Sequence, residues 1–185
     1  MIRRSPFKKN LKQKTFRHGS LEEPAPWIKW SSVLRLSCMW QMTEVQEMAI
    51  QNILELQNQA GTECQKVLLG LSNKLGITKI RDRAIEILTE DDVEPVEWIQ
   101  RGMEFQVDSW LLTGYRRLIQ APAGISVEHE ELLGQKTISK LLRIRDAYLQ
   151  IRWGNSFASA TIDGGTAQIK KAFSEELEAA IWVGN

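Results

Sequence analysis

The stretch Val33-Leu-Arg-Leu-Ser-Cys-Met-Trp40, running on through Thr43 to Ala49-Ile50 and Ile53, decides the fold, because the chain uses it again. Shifted by 35 residues, Leu34, Leu36, Ser37, Thr43, Ala49 and Ile50 fall on Leu69, Leu71, Ser72, Thr78, Ala84 and Ile85 with no change of residue. Val33/Leu68, Trp40/Leu75, Met42/Ile77, Val45/Ile80 and Ile53/Leu88 keep only their apolar character. A further shift of 30 residues reaches Trp98, Ile99, Gly102, Phe105, Val107, Asp108, Trp110, Gly114, Tyr115 and Leu118, which keep residue type rather than identity.

Within each copy the apolar residues recur three and four apart, the spacing of one helix face. No stretch alternates as a strand would. The expectation is an all-α chain of three stacked helix-pair repeats, followed by C-terminal helices. Thr43, Thr78 and Asp108 are read as N-caps of the second helices, and Thr43 with Gln46 and Thr62 with Gln65 spell capping boxes. Small residues recur in register on the first helix (Ser37, Ser72, Gly102) and on the second (Ala49, Ala84, Gly114), where they let two backbones approach. One pair cannot bury its apolar face alone, so the three must stack.

Outward from this array the chain divides into four parts. Residues 1–26 form a basic tail with Pro24 and Pro26, expected to be disordered. Residues 27–153 hold the repeats, with Pro122 ending the third unit. Ser126 then caps a short helix that stops near Gly134, and Thr137 caps a longer one from Ile138 to about Trp153. Residues 154–165, ending in Asp163-Gly164-Gly165, read as a linker. Residues 166–185 read as one amphipathic helix, from Thr166 to about Trp182.

The chain has 185 residues, 43% of them hydrophobic, enough for one buried core. Its net charge of +1 hides an asymmetry, since residues 1–20 hold seven bases and no acid, which leaves −6 over residues 21–185. A nucleic-acid binder is usually basic through its folded part, so the expected partners are other proteins. Cys38 and Cys64 have neither disulfide-framework nor metal spacing and suit a reducing compartment. No apolar run reaches the roughly 18–20 residues that span a bilayer. No apolar segment of a secretory signal follows the basic start. The expected location is cytosol or nucleus, with no membrane association. No oligomeric state follows from the sequence.

No catalytic set is expected. His129 stands among Glu128, Glu130 and Glu131, but contiguous residues on one helix point apart and do not converge on a metal. Cys38 and Cys64 lie on packing helices without a histidine partner. No phosphate-binding loop occurs, since Gly164-Gly165 alone lacks the pattern, and no cofactor is implied. Trp40 and Trp98 occupy packing positions of the repeat and are expected in the core. Trp153 and Trp182 lie outside the repeat and are candidate partner contacts. Arg3, Arg4, Lys8, Lys9, Lys12 and Lys14 are candidates for nuclear import or phosphate contact, with Ser5-Pro6 as a phosphorylation site beside them. They carry the alternative function, nucleic-acid binding or nuclear regulation, in which a repeat would act as a helix-turn-helix. Glu44, Glu47, Asp82 and Glu86 on the second helices oppose it.

Three stretches also carry a resemblance. They are Val33 to Trp40 running on to Ala49-Ile50; Asp92-Val-Glu-Pro95-Val-Glu-Trp-Ile99 with Val107-Asp-Ser-Trp110-Leu111 and Tyr115; and Ile125-Ser-Val-Glu-His-Glu-Glu-Leu-Leu133-Gly134. Together, over about residues 27–152, they resemble the helical region that follows the BTB/POZ core in fungal BTB-domain proteins. The resemblance implies a non-enzymatic adaptor or scaffold. In that family the core, a mixed α/β unit, comes before the segment matched at Trp27, and the connection from the Ala-Ile helix to the Pro-Val motif is shorter. Residues 1–26 hold no such core, so the resemblance implies a truncated product. A stacked array presents a groove between its ridges, where a partner helix or peptide can lie.

Overall fold

The computed structural model describes residues 25–154 and 165–181, with side chains up to residue 150 in the first stretch. The described part is helical: α1 (Pro26–Met39), α2 (Thr43–Gln57), α3 (Thr62–Leu75), α4 (Thr78–Thr89), α5 (Pro95–Phe105), α6 (Asp108–Gln120), α7 (Val127–Leu133), α8 (Gln135–Gly154), α9 (Thr166–Ala172) and α10 (Ser174–Ala179). No strand occurs among the described residues; one isolated bridge joins Val107 to Ile181. The all-α reading holds. α1 packs on α2, α3 on α4 and α5 on α6, so the three sequence copies are three hairpins.

Each hairpin closes by the same turn. The residue two before the second helix takes a left-handed backbone conformation at Gln41, Gly76 and Gln106, with φ of 55°, 69° and 56°. The following N–H then returns to a carbonyl five residues back: Met42 to Ser37 at 2.9 Å, Ile77 to Ser72 at 3.0 Å, and Val107 to Gly102 at 3.0 Å. This is the Schellman ending of a helix, and it satisfies carbonyls that the last turn leaves open. The small residue in register supplies that carbonyl in all three. Ser37 and Ser72 also donate their hydroxyls to Leu34 and Leu69, one turn back.

The turn corrects the expected caps. The N-cap positions are Met42, Ile77 and Val107, and none makes a side-chain cap bond. Thr43, Thr78 and Asp108 are the first helical residues instead. Two residues separate the helices in hairpins two and three, so the apolar one must turn inward at the N-cap. Neither capping box forms. Gly61, without a side chain, holds the N-cap of α3. Gln65 is buried instead, donating to the Gln57 carbonyl at 2.6 Å and accepting from the Gln57 amide at 3.1 Å. The Gln57 amide also reaches the Ile80 carbonyl.

Stacking joins the hairpins. Leu34, Ala49, Ile50 and Ile53 of the first hairpin share a core with Leu68, Leu71, Ile77 and Ile80 of the second. Leu69, Ala84 and Leu88 of the second share one with Trp98, Phe105, Val107 and Trp110 of the third. Polar ties run alongside. Lys79 meets Glu47 at 2.8 Å, Asn73 donates to the Phe105 carbonyl, and Arg81 donates to the Gln106 carbonyl at the third turn. Trp110 donates its indole N–H to Thr89 Oγ1. Arg101, in register with Leu36 and Leu71, is buried and held by Asp91 and Glu97 at 2.9 and 2.6 Å.

The far side of the third hairpin is covered by α8, α9 and α10. Ile138, Leu141, Ile144, Ile169, Phe173 and Ala180 join Ile99, Leu111, Tyr115, Leu118 and Ile119 in one cluster. Arg145 donates to the Ile119 and Ala121 carbonyls, capping the C-terminus of α6 with a cation. α8 begins at Gln135 rather than at Ile138, so Thr137 lies inside the helix and is not its cap. The sequence pattern predicts one helix over 166–185; instead the chain breaks at Phe173, whose ring stacks on Tyr115 at 4.1 Å. Residues 155–164 of the expected linker and 182–185 of the expected last helix lie outside the described residues, as do residues 1–24 of the tail.

Two consequences are testable. A Cβ on Gly114 would lie 2.6 Å from Ile99 Cγ1 and 2.7 Å from the Pro95 carbonyl, and one on Gly102 would lie 2.9 Å from the Leu111 backbone nitrogen. Gly114→Ala and Gly102→Ala should each lose about 2–3 kcal/mol in denaturant unfolding. Gly61→Ala, with nothing within 4 Å, should change stability by less than about 0.5 kcal/mol.

The second concerns Lys140 and Glu176, 2.7 Å apart between α8 and α10. Burial opposes ionisation of Glu176, yet the Lys140 hydrogen bond and charge carry its pKa below the usual carboxylate value. A lowered folded-state pKa contributes stability above the unfolded value, and that contribution disappears as pH falls through the folded one. The melting-temperature gap between wild type and Lys140→Met should therefore be open at pH 7 and close below about pH 4.

Candidate functional site

The candidate residues named from the sequence do not converge on one place. Arg3, Arg4, Lys8, Lys9, Lys12, Lys14 and Trp182 lie outside the described residues, and Trp153 is described only as helical backbone of α8. His129 is explained locally: Ser126 Oγ accepts its N–H, and His129 Nδ1 accepts the Ser126 N–H at 3.1 Å, a reciprocal cap on α7. Among the described residues no group of three His, Cys, Asp or Glu could hold a metal ion. Burial raises the pKa of both thiols, which lowers the thiolate fraction a nucleophile needs. Cys38 and Cys64 pack against the first core cluster. No helix of the described residues is long and apolar enough to cross a membrane.

Two surfaces are built by the repeat. The first is a groove across the first helices of all three hairpins. Its floor is Val67, Gly70 and Leu71 of α3 with Phe105 of α5, and its volume is about 380 Å³. Gly70 opens it: its missing side chain leaves Phe105 Cε1 as the nearest atom, 3.9 Å from where a Cβ would sit. Arg35, Lys66 and Lys74 stand on the α1 and α3 side, and Glu104 on the α5 side. Glu63 also lines it and takes up Lys66 at 2.9 Å. Exposed Met39, in register with Lys74 and Glu104, extends the same row on α1. The groove is thus apolar along the middle, basic toward α1 and α3, and acidic toward α5.

The second surface is the outer side of hairpin one, and here an expectation fails. The repeat pattern puts Trp40 in the core, but 64% of it is exposed. It stands in the same register as Leu75 and Phe105, three residues before the second helix in each copy. What differs is the neighbour. Leu75 packs against the cluster shared with hairpin one, and Phe105 is buried against hairpin two. Hairpin one has no such neighbour among the described residues. Leu36 and Met42 follow the same rule: they are 44% and 45% exposed, while Leu71 and Ile77 are each 6%. Trp98, by contrast, is buried as expected, with its ring edge-on to Trp110 at 5.6 Å.

Comparison with protein-family models, curated proteins and solved structures finds no match to this chain.

The repeat equivalence predicts opposite responses at one position. Phe105→Ser should lose about 3–5 kcal/mol, and Trp40→Ser less than about 1 kcal/mol, measured by denaturant unfolding.

Proposed function

We propose that this chain is a non-enzymatic protein-interaction module, an adaptor or scaffold related to the BTB-domain proteins its sequence resembles. The observation that carries the reading is the groove over α1, α3 and α5, opened by Gly70 and lined by charges segregated along its length. A small residue at the centre of a helical row admits a partner segment close to the backbone. The apolar floor supplies the non-directional part of the affinity, and the charged ends set direction. The occupant this chemistry suits is an amphipathic segment, acidic where it meets Arg35 and Lys74 and basic where it meets Glu104. Helix-in-groove and extended-peptide recognition both use such surfaces. The acids on α2, which carries no base, speak against the nucleic-acid alternative for the first hairpin, because a recognition helix approaching phosphates is basic.

The test is a quantitative pull-down from cell extract with the full chain and with Gly70→Arg, whose side chain would fill the groove. Proteins captured reproducibly by wild type should fall at least tenfold with the variant, while far-ultraviolet circular dichroism stays unchanged. No reproducible partner, or equal capture by the folded variant, would overturn the reading.

A further inference from the structure

We infer that the groove over α1, α3 and α5 takes one amphipathic helix of a partner protein, laid along α3. Its underside is an apolar stripe, its flank facing α1 is acidic, and its flank facing α5 is basic. This rests on the interaction reading above and narrows it to one kind of segment. The long axis of the groove is α3, which lines it from Glu63 through Val67 and Gly70 to Lys74, three turns and about 16 Å. The walls come from the two helices that α3 touches, with Arg35 on α1 and Glu104 on α5. Packed helices lie about 8–10 Å apart, so the axes of the two walls stand about 16–20 Å apart across the floor. A helix about 10–12 Å wide with its side chains fits between them.

Two observations choose a helix over an extended peptide. The first is hydrogen bonding. An extended segment carries a bare N–H and C=O at each residue and needs partners along its length. No Asn, Gln, Ser or Thr lines the groove, whose middle is Val67, Gly70, Leu71 and Phe105. A helix brings its backbone already paired. The second is pitch. α3 presents one set of side chains per turn, about every 5.4 Å. Side chains on one face of an extended chain recur about every 6.7 Å and fall out of step with that floor, while those of a helix stay in step. Over Gly70 an apolar side chain of the occupant can reach down to Phe105, whose Cε1 is the nearest atom, 3.9 Å from where a Cβ would sit. The charges then choose the flanks. Arg35, Lys74 and Glu104 make no hydrogen bond or ion pair among the described residues, whereas Lys66 is held by Glu63. Unpaired bases thus stand on the α1 and α3 side and an unpaired acid on the α5 side, and an occupant with one acidic and one basic flank meets both.

The test is fluorescence polarisation of the full chain with a labelled helical peptide of about 14 residues, four turns. It carries leucines three and four apart, glutamates on one flank and lysines on the other. Saturable binding is expected. A proline at the peptide's centre, which breaks the helix, should weaken binding by about tenfold or more. Gly70→Arg should do the same. Gly70→Ala, which suits a helix interior, should keep or raise the melting temperature while weakening binding about threefold. A peptide with glutamates on both flanks should bind wild type about fivefold less tightly, and Glu104→Lys should reverse that order. Equal binding by the proline peptide would mark an extended occupant and overturn the inference. An order of peptides that Glu104→Lys leaves unchanged, or binding indifferent to Gly70→Arg, overturns it too. If no peptide binds while Gly70→Arg still loses the proteins captured from extract, the helix falls and the interaction reading stands. If neither peptide nor extract protein binds, both fall.

Discussion

The close crossing of two antiparallel helices over a turn of two or three residues is the constraint from which the rest follows. In the third hairpin the crossing is tight enough that Gly102 and Gly114 leave no room for a methyl group on either side. A left-handed residue lets the chain reverse, and the N–H beyond it returns to the carbonyl of the small residue. The same residue thus serves packing and turn closure together. Once the crossing is set, the apolar stripes of both helices face outward in a fixed register, and that register is what neighbouring hairpins read.

The hairpins are legible in the sequence because their signal is distributed over many positions. Identity at Leu34, Ser37, Ala49 and Ile50 against their counterparts fixes helix phase, helix order and pairing at once. The turn is harder to read. Gly76 announces a left-handed conformation, but Gln41 and Gln106 do not, since glutamine has no preference for that region. The threonines and aspartate beside them then draw the caps one residue too far along. Gln65 escapes a sequence reading for a related reason: its local pattern spells a cap, while its partner Gln57 belongs to the preceding helix.

Trp40 shows the limit more sharply. Its apolar type and its register match those of buried residues, yet burial is a property of what stands opposite. Periodicity along a chain describes which side chains share a face and says nothing of whether that face has a neighbour. Arg101 is the reverse case, a charge where the register holds leucine, buried because Asp91 and Glu97 meet its guanidinium. A groove is expected of any stack of hairpins. The floor of this one is not, because Gly70 carries no side chain and so leaves no mark in a hydrophobic pattern.

The unequal ends of the array bear on how the chain emerges during synthesis. Hairpin one is made before the other two, and its inner side gains cover only when α3 and α4 follow. The closing elements α9 and α10 are made after the third hairpin, although they finish the cluster around Tyr115 and Phe173. Among the described residues, Trp40, Leu36 and Met42 stay exposed even when the array is complete. Apolar surface that is made early and covered late is where a growing array is most open to misassociation, so the order of the hairpins along the chain also sets the order in which that exposure ends.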